Sequence, residues 1–247
     1  LSVVLIGTVY PIFLDVLSSQ KISVGPPFYH KLIIPFLIPF LLVMTIGPKL
    51  KWIKSNLKDK VYLVSLLALS ILLSLFIVKK FDTNFLVNTI LISGALYLFL
   101  TTFRDFFNKK YNNVSQNVAH FGFSLLILSI LFNNIFSTEI ITNLKVGETY
   151  ESPETKIVFE SINQKQEKNY KSVIANFSVK RSNGIAENLS PELRIYNQPN
   201  IVTSEADIKT SLISDKFIVI NIVKNKDYFN VRYQVKPFML WLSLIHI

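Results

Sequence analysis

Residues 118–136 read VAHFGFSLLILSILFNNIF, and residues 137–150 read STEIITNLKVGETY. The first stretch holds no Asp, Glu, Lys or Arg. As a helix rising about 1.5 Å per residue, it comes close to the ~30 Å of hydrocarbon in a bilayer. The second stretch is charged and contains turn formers. The solvent changes at Ser137, and that change divides the chain.

Upstream, residues 1–136 hold four acids and twelve bases, and three more long runs lack charge: Leu32 to Gly47, Val61 to Val78 and Phe85 to Phe103. The last two are each nearly long enough to span a membrane. The run from Leu32 is shorter and carries Pro35 and Pro39, which remove backbone donors and favour a kink. Such breaks are tolerated where neighbouring helices or a cavity satisfy the freed carbonyls. A further apolar run, Leu1 to Leu14, opens the chain without Met, and no charged region or cleavage site frames it as a signal peptide. Pro237 to Ile247 starts another and stops after eleven residues. The chain therefore reads as an internal fragment with four complete and two incomplete spans.

Composition agrees. Half of the 247 residues are hydrophobic, 17% are charged and the mean hydropathy is +0.40, where a soluble domain has roughly 25% charged residues. The absence of cysteine excludes a disulfide framework, a thiolate metal site and a Cys nucleophile. The net charge of +10 sits mostly in short loops. Lys49, Lys51, Lys54, Lys58 and Lys60 face Asp59 alone in one of them; Arg104, Lys109 and Lys110 face Asp105 in another. Both loops fall on the same side, and an excess of positive charge marks that side as cytoplasmic, against a weaker opposing pair, Lys79 and Lys80. By alternation, Asp15 to Lys31 and Ser137 to Lys236 face outward. A nucleic-acid surface would gather its bases on one soluble face; here the outward half is nearly balanced, with twelve acids and fourteen bases.

That half reads as strands. Lys156 to Ile162, Ser172 to Lys180, Lys216 to Val223 and Tyr228 to Val235 are rich in Val, Ile, Phe and Tyr and partly alternate. Ser182-Asn183-Gly184, Asn197-Gln198-Pro199-Asn200 and Asn225-Lys226-Asp227 supply turns. A small antiparallel sheet, sandwich or open barrel fits.

For chemistry, the glycine-rich phosphate loop, HExxH and GxSxG are missing, and the histidines are His30, His120 and His246. His120 stands early in an apolar span, where an ionisable side chain is costly and marks a functional site by default. Its imidazole suits haem iron as an axial ligand, and Ala119 and Gly122 beside it leave room for a flat macrocycle or another helix. An interhelical hydrogen bond, or a histidine reaching the nearby interface, also accounts for it and is the reading the residues alone favour. Gly25-Pro26-Pro27 reads as a stiff outward turn before Phe28, Tyr29 and His30; it either lines a ligand site or sets the entry angle of the next helix. His246 has no assigned role. In an extended segment Glu192, Arg194 and Tyr196 share a face. Arg194 then pairs a carboxylate, either Glu205 within the domain or one on a ligand.

Several of these places together resemble one family. Gly7-Thr8-Val9-Tyr10-Pro11, Lys21 to Phe28, Ala119-His120-Phe121-Gly122, Pro191 to Tyr196, Ser204-Glu205-Ala206, Ser214-Asp215 and Val231 to Trp241 look, in that order, like the C-terminal part of the CcmF/NrfE cytochrome c haem lyases. The resemblance implies a multi-pass protein of the bacterial inner membrane, part of the system that attaches haem covalently to CxxCH motifs of apocytochrome c in the periplasm. In that family a b-type haem is held in the membrane by two histidines, and the AHxG motif carries the second; the resemblance thus implies haem b as cofactor and His120 as its axial ligand. It implies that quinol reduces this haem and that the haem in turn reduces the iron to be attached. The implied partners are the haem chaperone CcmE, CcmH- and CcmI-type subunits and apocytochrome c. Gly25, Pro26 and Pro27 would edge the haem-handling surface. The family's tryptophan-rich loop and first membrane histidine have no counterpart here, so this stretch alone is expected to be inactive. Leu242 to Ile247 departs from the family pattern.

The expected architecture is a mainly α transmembrane bundle over 1–136, an extracytoplasmic β-rich domain over 137–236 inserted before the last span, and the start of that span over 237–247. The rival reading is a non-catalytic membrane scaffold or transporter subunit whose outward domain docks partners, with His120 merely packed.

Overall fold

The computed structural model describes residues 2–18, 24–50, 60–81, 85–107, 113–182 and 184–246. Much of the basic loops, residues 51–59 and 108–112, lies outside them, as do Lys21 to Ser23 of the stretch before α2. Two compact units form, Leu1–Leu128 and Ser129–Ile247.

The first unit holds α1 (Ser2–Ser18), α2 (Pro26–Ile46), α3 (Lys60–Phe81), α4 (Phe85–Phe107) and most of α5 (Val114–Phe136). Among the described residues four stretches are long and apolar enough to cross a membrane: Phe28–Lys49, Lys60–Lys79, Phe85–Phe107 and Val114–Phe136. The second span differs from its sequence reading. Gly25 is an extended N-cap and Pro26 and Pro27 open α2, positions where a missing N–H costs nothing. The Gly-Pro-Pro stretch therefore starts the helix, so a run that looks short from Leu32 attains full length, with Pro35 and Pro39 inside it. Hydroxyls in these apolar helices bond back to their own backbone: Thr45 to Leu41 O at 2.8 Å, Ser70 to Leu66 O at 2.8 Å, Ser124 to Phe121 O at 2.8 Å. Such pairing is required where no water is available. Leu91, Ile92, Ala95 and Leu98 make α4 the best-buried helix, against α2 and α3. Two glycines permit close approach. A Cβ on Gly7 would stand 2.7–2.9 Å from the Tyr29 ring, and one on Gly94 would stand 3.3 Å from Leu41.

At the far end of α2, a 3-10 turn (Gly47–Lys49) brings Lys49 against Asp105 of α4 in a buried ion pair. Beside it the Arg104 guanidinium lies 3.3 Å over the Tyr62 ring. Charges from the flanks of both basic loops thus meet at one end of the helices.

The second unit is a sandwich of two antiparallel sheets. One has the order β1 (Thr138–Leu144), β10 (Phe229–Pro237), β9 (Ser214–Ile222), β8 (Asp207–Thr210). The other runs β2 (Thr149–Glu151), β3 (Thr155–Gln166), β4 (Tyr170–Arg181), β6 (Glu192–Asn197), β7 (Asn200–Glu205), with β5 (Glu187–Leu189) also on β4. Alternate residues point inward: Ile157 and Phe159, Val173, Ala175, Phe177 and Val179, Ile218 and Ile220, Val231, Tyr233 and Val235 form one core. Phe159 and Phe177 stack at 4.4 Å between ring centroids. The turns fall where turn residues cluster. Asn197↔Asn200 closes the β6–β7 hairpin, and Asn225 takes a left-handed φ of 60° between β9 and β10. Phe238, at φ 62°, bends the chain from β10 into α6 (Met239–His246). Its ring then lies 5.6 Å from Phe132 near the end of α5, whose Asn133 donates to Pro237 O at 2.7 Å.

Candidate functional site

The site begins with how α5 is seated. Asn113 accepts from Gln116 N at 3.4 Å as a side-chain cap, and its carbonyl accepts from Asn117 N at 2.9 Å. From there Asn117, Ser124 and Leu128, at helical spacing, are buried. Phe121 packs on Phe99 at 4.9 Å and Phe106 at 5.9 Å, both of α4, while Phe123 meets Phe40 of α2 edge-on at 5.6 Å. These contacts fix the rotation of α5 and leave His120 half-buried on the flank of the packed face. Phe106, which packs on Phe121, adjoins Asp105, the ion-pair partner of Lys49.

Space beside His120 is open. Ala119 is exposed, and a Cβ on Gly122 would meet nothing within 4 Å. Contrast Gly7 and Gly94, whose missing side chains are used for packing. At Gly122 no neighbour among the described residues demands a small side chain. An imidazole flanked by Ala119 and Gly122 is a donor that suits haem iron.

The other sequence candidates lie elsewhere. Gly25, Pro26 and Pro27 start α2, whereas Lys49 follows its end, so about 21 residues of helix, roughly 30 Å, separate them from the His120 region. His30 is exposed on the first turn of α2. No three His, Asp or Glu side chains gather into a metal site among the described residues.

In the sandwich, Arg194 does pair within the domain. Its guanidinium donates to Glu192 at 3.2 Å, lies 3.8 Å from Glu205 and sits 5.3 Å over the Tyr170 ring, which packs at 5.3 Å on Tyr196. Burial alone would push the Glu192 carboxyl up; the Ser172 hydroxyl and Arg194 together outweigh it and hold it below the usual range. The Lys49–Asp105 pair has no sequence signature, since the two residues stand 56 positions apart.

A bundle of membrane-length helices leading into a β-sandwich is a multi-pass membrane architecture, and comparison with known proteins places it. Residues 135–237 match the family model described as the CcmF C-terminal beta-sandwich. The cytochrome c-type biogenesis protein CcmF of Pseudomonas aeruginosa is 26% identical over 98% of this chain and 39% of its own length. The same-named protein of Escherichia coli is 23% identical over 97% and 38%, and the probable cytochrome c-type biogenesis protein NrfE of that organism 21% identical over 98% and 34%. A solved structure titled cytochrome c heme lyase CcmF superposes with a TM-score of 0.73 at 21% identity, covering 99% of this chain and 41% of its own. The resemblance read from its motifs is thus matched in sequence and in fold, and the chain spans about two fifths of the length of the curated CcmF relatives it matches.

Proposed function

We propose that the full-length protein is a cytochrome c haem lyase, joining haem to CxxCH motifs of apocytochrome c, and that this stretch contributes His120 as one axial ligand of a membrane-held b-type haem. The observation that carries the proposal is the pairing of His120 with the open surface at Ala119 and Gly122. A neutral imidazole offers its lone pair to iron, and α5 is held against α4 by Phe121, so the ring is presented from a fixed backbone. Bound there, a b-type haem supplies one-electron transfer. His120 would hold the iron, Ala119 and Gly122 would admit the ring edge, and the surrounding phenylalanines would exclude water. His30, exposed on the first turn of α2, is given no part in holding this haem.

The excess of positive charge in residues 48–60 and 104–116 supports an orientation with these loops in the cytoplasm and the sandwich in the periplasm of the bacterial inner membrane. There the sandwich would face apocytochrome c, the chaperone CcmE and CcmH- and CcmI-type subunits. Quinol is the proposed reductant. This stretch alone would be inactive.

Complementation tests the reading. In cells lacking their own haem lyase, the full-length gene should restore haem-stained c-type cytochromes, and His120→Ala at equal membrane level should not. Full restoration by His120→Ala would remove His120 from the mechanism. No restoration by the unaltered gene, with its partner subunits co-expressed, would favour a scaffold.

A further inference from the structure

The turn between β8 and β9 has the wrong residues for a turn in water. Its tip is Leu212-Ile213, where Gly, Asn, Asp or Ser would be ordinary, and both side chains are 71% exposed. The flanking serines close the turn themselves. Ser211 Oγ donates to Ser214 O at 2.6 Å, and Ser214 N donates back to Ser211 Oγ at 3.1 Å. The tip carbonyls are also engaged: Leu212 O accepts from the Trp241 indole N–H at 2.9 Å, and Ile213 O accepts from Phe238 N at 2.8 Å. Polar groups are tied up and aliphatic ones left out, the reverse of a solvated loop.

The donors show where the turn sits. Phe238 and Trp241 belong to the corner and first turn of α6, and Phe238 packs on Phe132 at the end of the membrane-length helix α5. The turn is therefore level with the place where the chain leaves the membrane and starts back toward it. Trp at that depth is a usual interfacial anchor. Backbone hydrogen bonds satisfied within the protein are what hydrocarbon demands of any segment it touches. Lys209 and Lys236 stand close behind the tip, on β8 and at the end of β10, placed to meet anionic headgroups while the tip goes deeper.

We propose that Leu212 and Ile213 insert into the outer leaflet of the bilayer as a second attachment of the sandwich, beside the helical connections. The occupant of this apolar tip is lipid. The proposal rests on the membrane reading of α5 and is independent of haem.

Nitroxide labels on full-length protein in phosphatidylcholine/phosphatidylglycerol nanodiscs test it. This stretch has no cysteine, so Ile213→Cys or Leu212→Cys takes the label once any cysteine elsewhere is replaced. Val146→Cys is the control. Val146 is 49% exposed beside Lys145, which pairs with Asp227 at the opposite end of the β9–β10 hairpin, about 25–30 Å away. At 212 and 213 collisions with oxygen should exceed those with a water-soluble nickel chelate, giving a positive depth parameter. At 146 the order should reverse. A nickel-dominated signal at 212 and 213 means water and overturns the proposal. Low collision with both means protein covers the tip, and overturns it as well.

Discussion

Tyr233 lies on β10 in the middle of the sandwich, 2% exposed, and its hydroxyl has no hydrogen-bond partner. An unpaired buried hydroxyl costs about 1–3 kcal/mol of desolvation, and an apolar group of the same shape removes that cost. Tyr233→Phe should therefore raise stability at pH 7 by about 1 kcal/mol, although most core substitutions lower it. Burial pushes the phenol up to about 12, with Arg181 opposing and Glu187 adding to it. Below pH 9 the group is protonated folded and unfolded, and contributes no pH dependence. Between pH 10 and about 12 the unfolded chain releases the proton while the folded one keeps it, so stability falls as pH rises. One proton over that window amounts to roughly 2–3 kcal/mol. Lysines titrate in the same range, so the difference between unaltered protein and variant is the quantity to read. The sandwich has its own core and is to be produced as residues 137–237, unfolded in urea and followed by circular dichroism from pH 7 to 11.5. The variant should be the more stable at pH 7 and should lose less on the alkaline side. A less stable variant at pH 7, or parallel alkaline losses, would refute an unpaired hydroxyl.

Three further outcomes follow from particular contacts. Lys49→Ala leaves Asp105 charged in a buried place, which should cost about 3–5 kcal/mol and appear as early thermal aggregation of the detergent-solubilised full-length protein; Lys49→Met with Asp105→Leu should recover most of it. Gly7→Ala puts a methyl within 3 Å of the Tyr29 ring and should loosen α1 from α2, read as faster protease cleavage near residues 18–25, whereas Gly122→Ala, with nothing nearby, should not. Arg194→Ala leaves Glu192 directly opposite Glu205. Glu192 is held below its ordinary range and so contributes stability above about pH 4.5 that is lost as pH falls; urea midpoints of the sandwich should show that acid limb flattened in the variant.

The strands visible in the sequence are those with one face inward. β3, β4, β9 and β10 alternate, are bounded by turn residues and lie within one or two residues of their expected cores at most ends, β3 extending further to Gln166. β7 and β8 are edge strands with Ile201, Val202 and Ile208 exposed, so no two-residue period marks them, and β2 and β5 are only three residues long. The start of α2 was obscured because prolines are read first as breakers, and only the cap at Gly25 shows that two of them are helix openers. His120 could be singled out as a candidate because an ionisable residue in an apolar run needs a reason. Lys49 and Asp105 could not. Each is an ordinary loop-flanking charge until the helices bring them together.

Visible spectroscopy of the full-length protein in mild detergent tests directly whether His120 ligates haem. Unaltered protein, after dithionite, should give the sharp α and β bands of a b-type haem, and His120→Ala, folded and in equal amount, should lose them. Undiminished bands in His120→Ala would contradict the assignment.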